Sequence, residues 1–139
     1  MIEKTTDLDT CRAIRRVVFI VEQNVPEAEE WDGRDGAALH LLARDASGAA
    51  VGTARILTEG ATGKIGRVAV LKSARGTGAG AALIRAALDE LRAMPGITRA
   101  KLGAQTHAIG FYERLGFAAY GPEYDDAGIP HRDMALDLG

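Results

Sequence analysis

The 139-residue chain is 47% hydrophobic with a single cysteine, which suits one domain (residues 1–139) around one core and rules out an internal disulfide. A formal net charge of -2, from 17 basic and 19 acidic residues, gives no basic field of the kind that nucleic-acid binding relies on. There is no apolar run long enough to cross a bilayer, and the start MIEKTTDLD lacks the regions of a signal peptide, so a soluble cytoplasmic protein with no membrane partner is expected.

In chain order, Met1 to Thr5 reads as a short strand, and Thr6-x-x-Asp9 as a capping box ahead of a helix running to about Gln23. The apolar members of that helix are Leu8, Cys11, Ile14, Val18 and Val21, so Cys11 reads as a small core residue rather than a nucleophile. From Glu22 to Gly36 the acids Glu22, Glu27, Glu29, Glu30, Asp32 and Asp35 outnumber the single base Arg34. For most of them a solvated face is the expected reading; as a set they would concentrate cations nearby. Glu22, closing an apolar helix, is the one placed to be partly desolvated and so a candidate general base. Ala37 to Asp45 and Ala50 to Leu57 read as two strands joined by a turn at Ala46 to Ala49, with His40 in the first and Arg55 near the end of the second.

Next comes KIGRVAVLKSARGTGAGAALIRAALDELR, Lys64 to Arg92, which reads as strand, glycine-rich turn and helix. Ile65, Arg67, Ala69 and Leu71 alternate with Gly66, Val68 and Val70, as in a strand with two unlike faces. Leu83, Ile84, Ala87, Leu88 and Leu91 share one face of the helix. Between them, the loop of Arg75, Gly76, Thr77, Gly78, Ala79 and Gly80 leaves backbone N–H groups open at a helix start, with Lys72 and Arg75 just before it. That combination is an anion site suited to a phosphate or pyrophosphate. A Walker loop would end in Gly-Lys-Ser/Thr, whereas this one ends Gly80-Ala81-Ala82. A Rossmann fingerprint wants an acid about twenty positions on, and Asp89 and Glu90 come too early.

The spacing Arg75-x-x-Gly78-x-Gly80 after a Val-Ala-Val strand instead resembles the R/Q-x-x-G-x-G/A element of the GNAT superfamily of acetyl-CoA-dependent N-acetyltransferases. Met94-Pro95-Gly96 is a stop, after which Arg99 to Gln105 reads as the next strand and Thr106 to Leu115 as a short helix. The segment from Lys101, KLGAQTHAIGFYERLGFAAYGPEYDDAGIPHRDMAL, looks like the second half of that fold, a strand, a short helix and a closing strand pair. The stretch VVFIVEQNVPEAEEWDGRDGAALHLLA is similar to the ElaA-like branch, so the resemblance covers nearly the whole chain.

The resemblance implies an α/β fold with a mixed, mostly antiparallel, splayed sheet and helices on both faces. It also implies acetyl-CoA as cosubstrate, its pyrophosphate on the amides of Gly76, Thr77, Gly78, Ala79, Gly80 and Ala81 beside Arg75, and its pantetheine along Val68, Ala69 and Val70. Gln105 stands where the family often has an asparagine that meets a pantetheine amide. Tyr112, in the F-Y-x-x-x-G-F element, would lie near the sulfur and protonate the departing thiolate, which a neutral phenol is able to do. His40 and Arg55 would border the acceptor, a small-molecule or lysine amine that the acidic loop's sign suits as a cation. A homodimer is left open. His40, His107 and His131 show no metal-ligand spacing and no companion cysteines, so no metal site is expected. A CoA-binding sensor or subunit without turnover is the alternative, since it needs the glycine loop but neither Tyr112 nor a base.

Overall fold

The computed structural model describes Met1–Gly139 in full. Four strands, β1 (Ile2–Thr5), β2 (Leu39–Arg44), β3 (Ala50–Glu59) and β4 (Thr62–Val70), pair antiparallel in chain order. Then β5 (Arg99–Gln105) joins parallel to β4, and the hairpin of β6 (Ala118–Asp126) and β7 (Ile129–Asp137) completes the order β1-β2-β3-β4-β5-β7-β6. This is the mixed, mostly antiparallel sheet that the resemblance implies.

The splay lies between β4 and β5. Only Thr62, Gly63 and Lys64 pair, with Arg99, Ala100 and Lys101; beyond them β4 stays with β3 as far as Val70, while β5 stays with β7 as far as Gln105. The strands diverge because each remains bound to its other neighbour.

On one face lie α1 (Leu8–Arg15), the π-turns that continue it over Arg16–Glu22, and α2 (Glu27–Glu30). The cap of α1 is Asp7 rather than the expected Thr6: its carboxylate accepts from Thr10 N–H at 3.2 Å, while Thr5 Oγ1 accepts from Asp7 N–H at 3.0 Å. Cys11, Ile14 and Val18 are buried as the spacing predicts, but Val21 is 66% exposed. The wider turns, in which Gln23 N–H reaches back to the Val18 carbonyl at 3.2 Å, rotate it off the stripe.

The opposite face carries α3 (Ala79–Ala93) and α4 (Ile109–Arg114). Leu83, Ile84, Ala87, Leu88 and Leu91 are all buried there, in the larger core with Ile65, Leu102 and Met134. Helix α3 packs close enough that a Cβ on Gly63 would stand 2.1 Å from Leu91 Cδ2. Any side chain there would have to displace the buried Leu91.

The simple alternation expected along β4 does not hold. Ile65 packs in the core under α3, yet Ala69, of the same parity, packs against Cys11, Ile14 and Val18 under α1. A bulge separates them: between the pairs Thr53–Ala69 and Arg55–Gly66 the ladder advances two residues on β3 and three on β4. The extra residue is Arg67, at a left-handed φ of 51°. For a non-glycine residue that conformation costs roughly 1 kcal/mol or more. It is held by Arg67 Nη2, which donates to the carbonyls of Glu29 and Glu30 at 3.4 and 3.3 Å.

Candidate active site

After β4 the chain turns through Lys72 to Gly78 into α3. Gly76 and Gly78 sit at φ of 80° and 88°, and Gly78 is the residue preceding the first helical turn. These left-handed steps turn successive peptide N–H groups outward, and those from Gly76 to Ala81 donate to no group of the protein. The Thr77 hydroxyl ties the loop down on the Ala74 carbonyl. The arrangement is an anion cradle built from backbone, reinforced by the positive end of a 15-residue helix.

Next to the cradle, the splay exposes the edge of β4. Leu71 N–H bonds to Val51 on β3, so alternation turns the peptide groups of Val70 toward the gap, where its carbonyl accepts from Arg75 Nε at 3.1 Å. On the other arm, Gln105 Nε2 donates to Gln23 Oε1 at 2.9 Å, and Gln105 Oε1 accepts from His107 Nε2 at 2.7 Å. The bond to Gln23 ties the end of the π-turns to the end of β5 across the mouth of the gap. Gln23 was not legible as a site residue, because only the fold brings it to Gln105.

Within the gap is a cavity of about 410 Å³ lined by Phe19, Gln23 and Val25 on one side and by Tyr112, Tyr124 and His131 on another. The ring of Tyr112 is wedged edge-on between Phe111 and Phe117, with centroids 5.0 and 6.1 Å away. No group of the protein hydrogen-bonds its hydroxyl, and burial pushes its pKa up to about 12, so at neutral pH it is held in the protonated form. The exposed carboxylates Glu29 and Asp126 also line the cavity and favour a cation there.

Three residues expected at the site lie elsewhere. The Glu22 carboxylate is 2.7 Å from Arg75 Nη2, an ion pair beside the glycine loop, and it does not line the cavity. The π-turns carry Glu22 toward the loop, so it is placed to orient Arg75 rather than to meet an acceptor. His40 is buried with Nε2–H donating to the Asp35 carbonyl at 2.9 Å, and Arg55 is buried between Asp32 and Asp35, at 2.8 and 3.1 Å. Neither lines the cavity.

Of the six acids, Glu22, Glu27, Glu29 and Asp32 are exposed, as expected for most of the run, but two are not. Glu30 is 3% exposed and Asp35 6%, and with Asp32 they share Arg12, Arg15, Arg55 and Arg67. Burial works against the Asp35 carboxylate, but Arg15, Arg12 and Arg55 outweigh it and hold its pKa at about 2. Hydrogen bonding from Arg55 likewise lowers Asp32. Carboxyls depressed in the folded state stabilise it above their unfolded pKa, near 4, and lose that contribution as the pH falls through the folded value. Thermal melts followed by circular dichroism are therefore expected to show the melting temperature flat from pH 7 to 5 and dropping between pH 4 and 2.

No helix is long and apolar enough to cross a membrane. Residues 12–138 match the family model described as the acetyltransferase (GNAT) domain. The chain is 38% identical over 125 residues to the uncharacterised N-acetyltransferase YjcF of Bacillus subtilis, 89% of this chain and 88% of that one. It superposes on the crystal structure of Escherichia coli ElaA with a TM-score of 0.85 at 32% identity, covering 98% and 99% of the two chains. A Bacillus subtilis acetyltransferase in complex with CoA shares the fold, with a TM-score of 0.73 at 19% identity and coverage of 98% and 97%. A splayed sheet, a backbone anion cradle after its central strand, and a family match over nearly the whole sequence lead to one assignment: the chain belongs to the GNAT acetyltransferase family.

Proposed function

We propose that the protein moves an acetyl group from acetyl-CoA to a primary amine by direct attack, with both substrates bound together. The observation that carries this is the Tyr112 hydroxyl: protonated, free of protein partners, and on the wall of a cavity that opens in the splay. A residue serving only the core would have its hydroxyl bonded.

The cradle from Gly76 to Ala81 fits a pyrophosphate, and the open edge of β4 at Val68 and Val70 fits an amide-bearing chain that adds like a strand, with Ala69 bonded to β3 behind it. Acetyl-CoA supplies an activated acetyl group there. In this reading a backbone N–H of β4, at Val70 or toward Val68, polarises the acetyl oxygen and Tyr112 gives its proton to the leaving sulfur, while Glu29 and Asp126, which line the cavity, attract the amine as its ammonium ion. Gln105 serves the pantetheine once its bond to Gln23 is exchanged. Nothing in the chain favours an acyl-enzyme: Cys11 is buried, and burial raises its thiol pKa.

Release of free thiol from acetyl-CoA is expected on addition of a primary amine. Replacing Gly78 with valine puts a β-branched residue at φ 88° and should weaken acetyl-CoA binding about tenfold by titration calorimetry, the equivalent of roughly 1.4 kcal/mol of strain. Tight CoA binding without thiol release from any amine would put the sensor or subunit reading in its place.

A further inference from the structure

With Glu22 paired to Arg75, the site still needs a group that takes a proton from the incoming ammonium. We propose that this base is His131 Nε2, an inference that rests on the acetyltransfer reading above. His131 lies on β7 directly opposite Gln105 on β5 and Tyr124 on β6, so three neighbouring strands set Gln105, His131 and Tyr124 in one row at the splayed end of the sheet. The row ends on the cavity that Tyr112 also lines.

The ring is fixed in a usable tautomer. His131 Nδ1 stands 2.7 Å from the carbonyl of Ile129, and a carbonyl only accepts, so Nδ1 carries the hydrogen. That leaves Nε2 with its lone pair, and no group of the protein bonds it. The Tyr124 ring stacks on the imidazole at 5.9 Å and 23°, holding its plane, while the Tyr124 hydroxyl donates to Asp133 at 2.9 Å and so does not compete for Nε2. Around the cavity the charged and titratable groups are Tyr124 and Asp126 from β6, Tyr112 from α4, Glu29 and Glu30 from α2, and Arg67 from the β4 bulge. Glu30 is engaged by Arg15 and Arg67, which leaves Glu29 and Asp126 to draw the ammonium toward the ring.

The protons balance. His131 Nε2 takes one proton from the ammonium and later releases it to solvent. The amine nitrogen forms the C–N bond as the C–S bond breaks, and the C–S electron pair stays on sulfur. Sulfur takes the Tyr112 hydroxyl proton, and the second nitrogen proton, lost as the amide forms, returns to the Tyr112 oxygen. The products are an amide, a thiol and one solvent proton.

The test compares wild type with His131→Asn, whose Nδ2–H keeps the bond to Ile129 and removes Nε2, and with His131→Ala. Acetyl-CoA is held saturating, and putrescine, phenethylamine and a blocked lysine peptide serve as acceptors. The expected result is about a hundredfold loss of kcat/KM for the accepted amine in both variants, at the low edge of general-base effects. The acidic limb of the wild-type pH profile should vanish, free imidazole should partly restore His131→Ala, and acetyl-CoA affinity should stay within about twofold by calorimetry. Independently of turnover, nitrogen NMR of the unliganded wild type should show the Nδ1–H tautomer at His131. An Nε2–H tautomer, or an unchanged acidic limb in both variants, overturns the base while leaving acetyltransfer standing. A wild type that binds acetyl-CoA and acetylates no amine overturns both.

Discussion

Arg15→Ala is expected to destabilise the protein by about 3 kcal/mol, the lower end of what breaking a buried ion pair costs, and to lower the melting temperature by about 10 °C. Arg15 is 1% exposed, with Nε 2.7 Å from Glu30 and Nη1 2.8 Å from Asp35. Alanine removes both bonds and leaves two buried carboxylates, together with the hole once filled by a guanidinium 5.3 Å from the centroid of Trp31. The cost stays at the lower end because Arg67 still reaches Glu30, while Arg12 and Arg55 still reach Asp35. Urea unfolding of the two proteins measures the difference. A loss under 1 kcal/mol would mean that the remaining arginines suffice and that Arg15 is dispensable.

The second large effect falls on rate alone. Tyr112→Phe should lower kcat about a hundredfold, within the usual range for loss of a general acid, with acetyl-CoA affinity changed less than about twofold. The fold should not suffer, since the contacts to Phe111 and Phe117 are made by the ring and the hydroxyl has no protein partner. Steady-state kinetics beside a thermal melt separate the cases: an equal fall in melting temperature and rate would make Tyr112 a core residue. Retained kcat would move the acid role to another group.

Much of this was legible from local pattern. The five-residue apolar face of α3, the span of β5 and the glycine loop follow from spacing, because each is set by residues that neighbour one another in the chain. The arginine network was not. Arg15 falls four residues after Cys11 and so on the buried stripe of α1, a usable signal, but its acids lie in a loop whose burial only the tertiary fold decides. The bulge at Arg67 was hidden for a similar reason: alternation assumes a regular ladder, and the extra residue is fixed by guanidinium bonds to a distant loop. Glu22 misled because its neighbours predict a straight helix, whereas the π-turns swing it to Arg75.

The short seam between β4 and β5 makes the molecule mechanically uneven. The strands on either side are joined to their outer neighbours along nearly their full lengths, while the two halves of the sheet meet through Thr62 to Lys64 and Arg99 to Lys101 alone. From Lys64 to Val70 the free arm runs about 20 Å at strand rise. A rotation of only about 5° at the seam would therefore move its tip by about 1.7 Å, roughly a third of the spacing of paired strands. Small angular play at the base becomes a lateral opening at the tip, with the Gln23–Gln105 bond acting as the clasp that limits it.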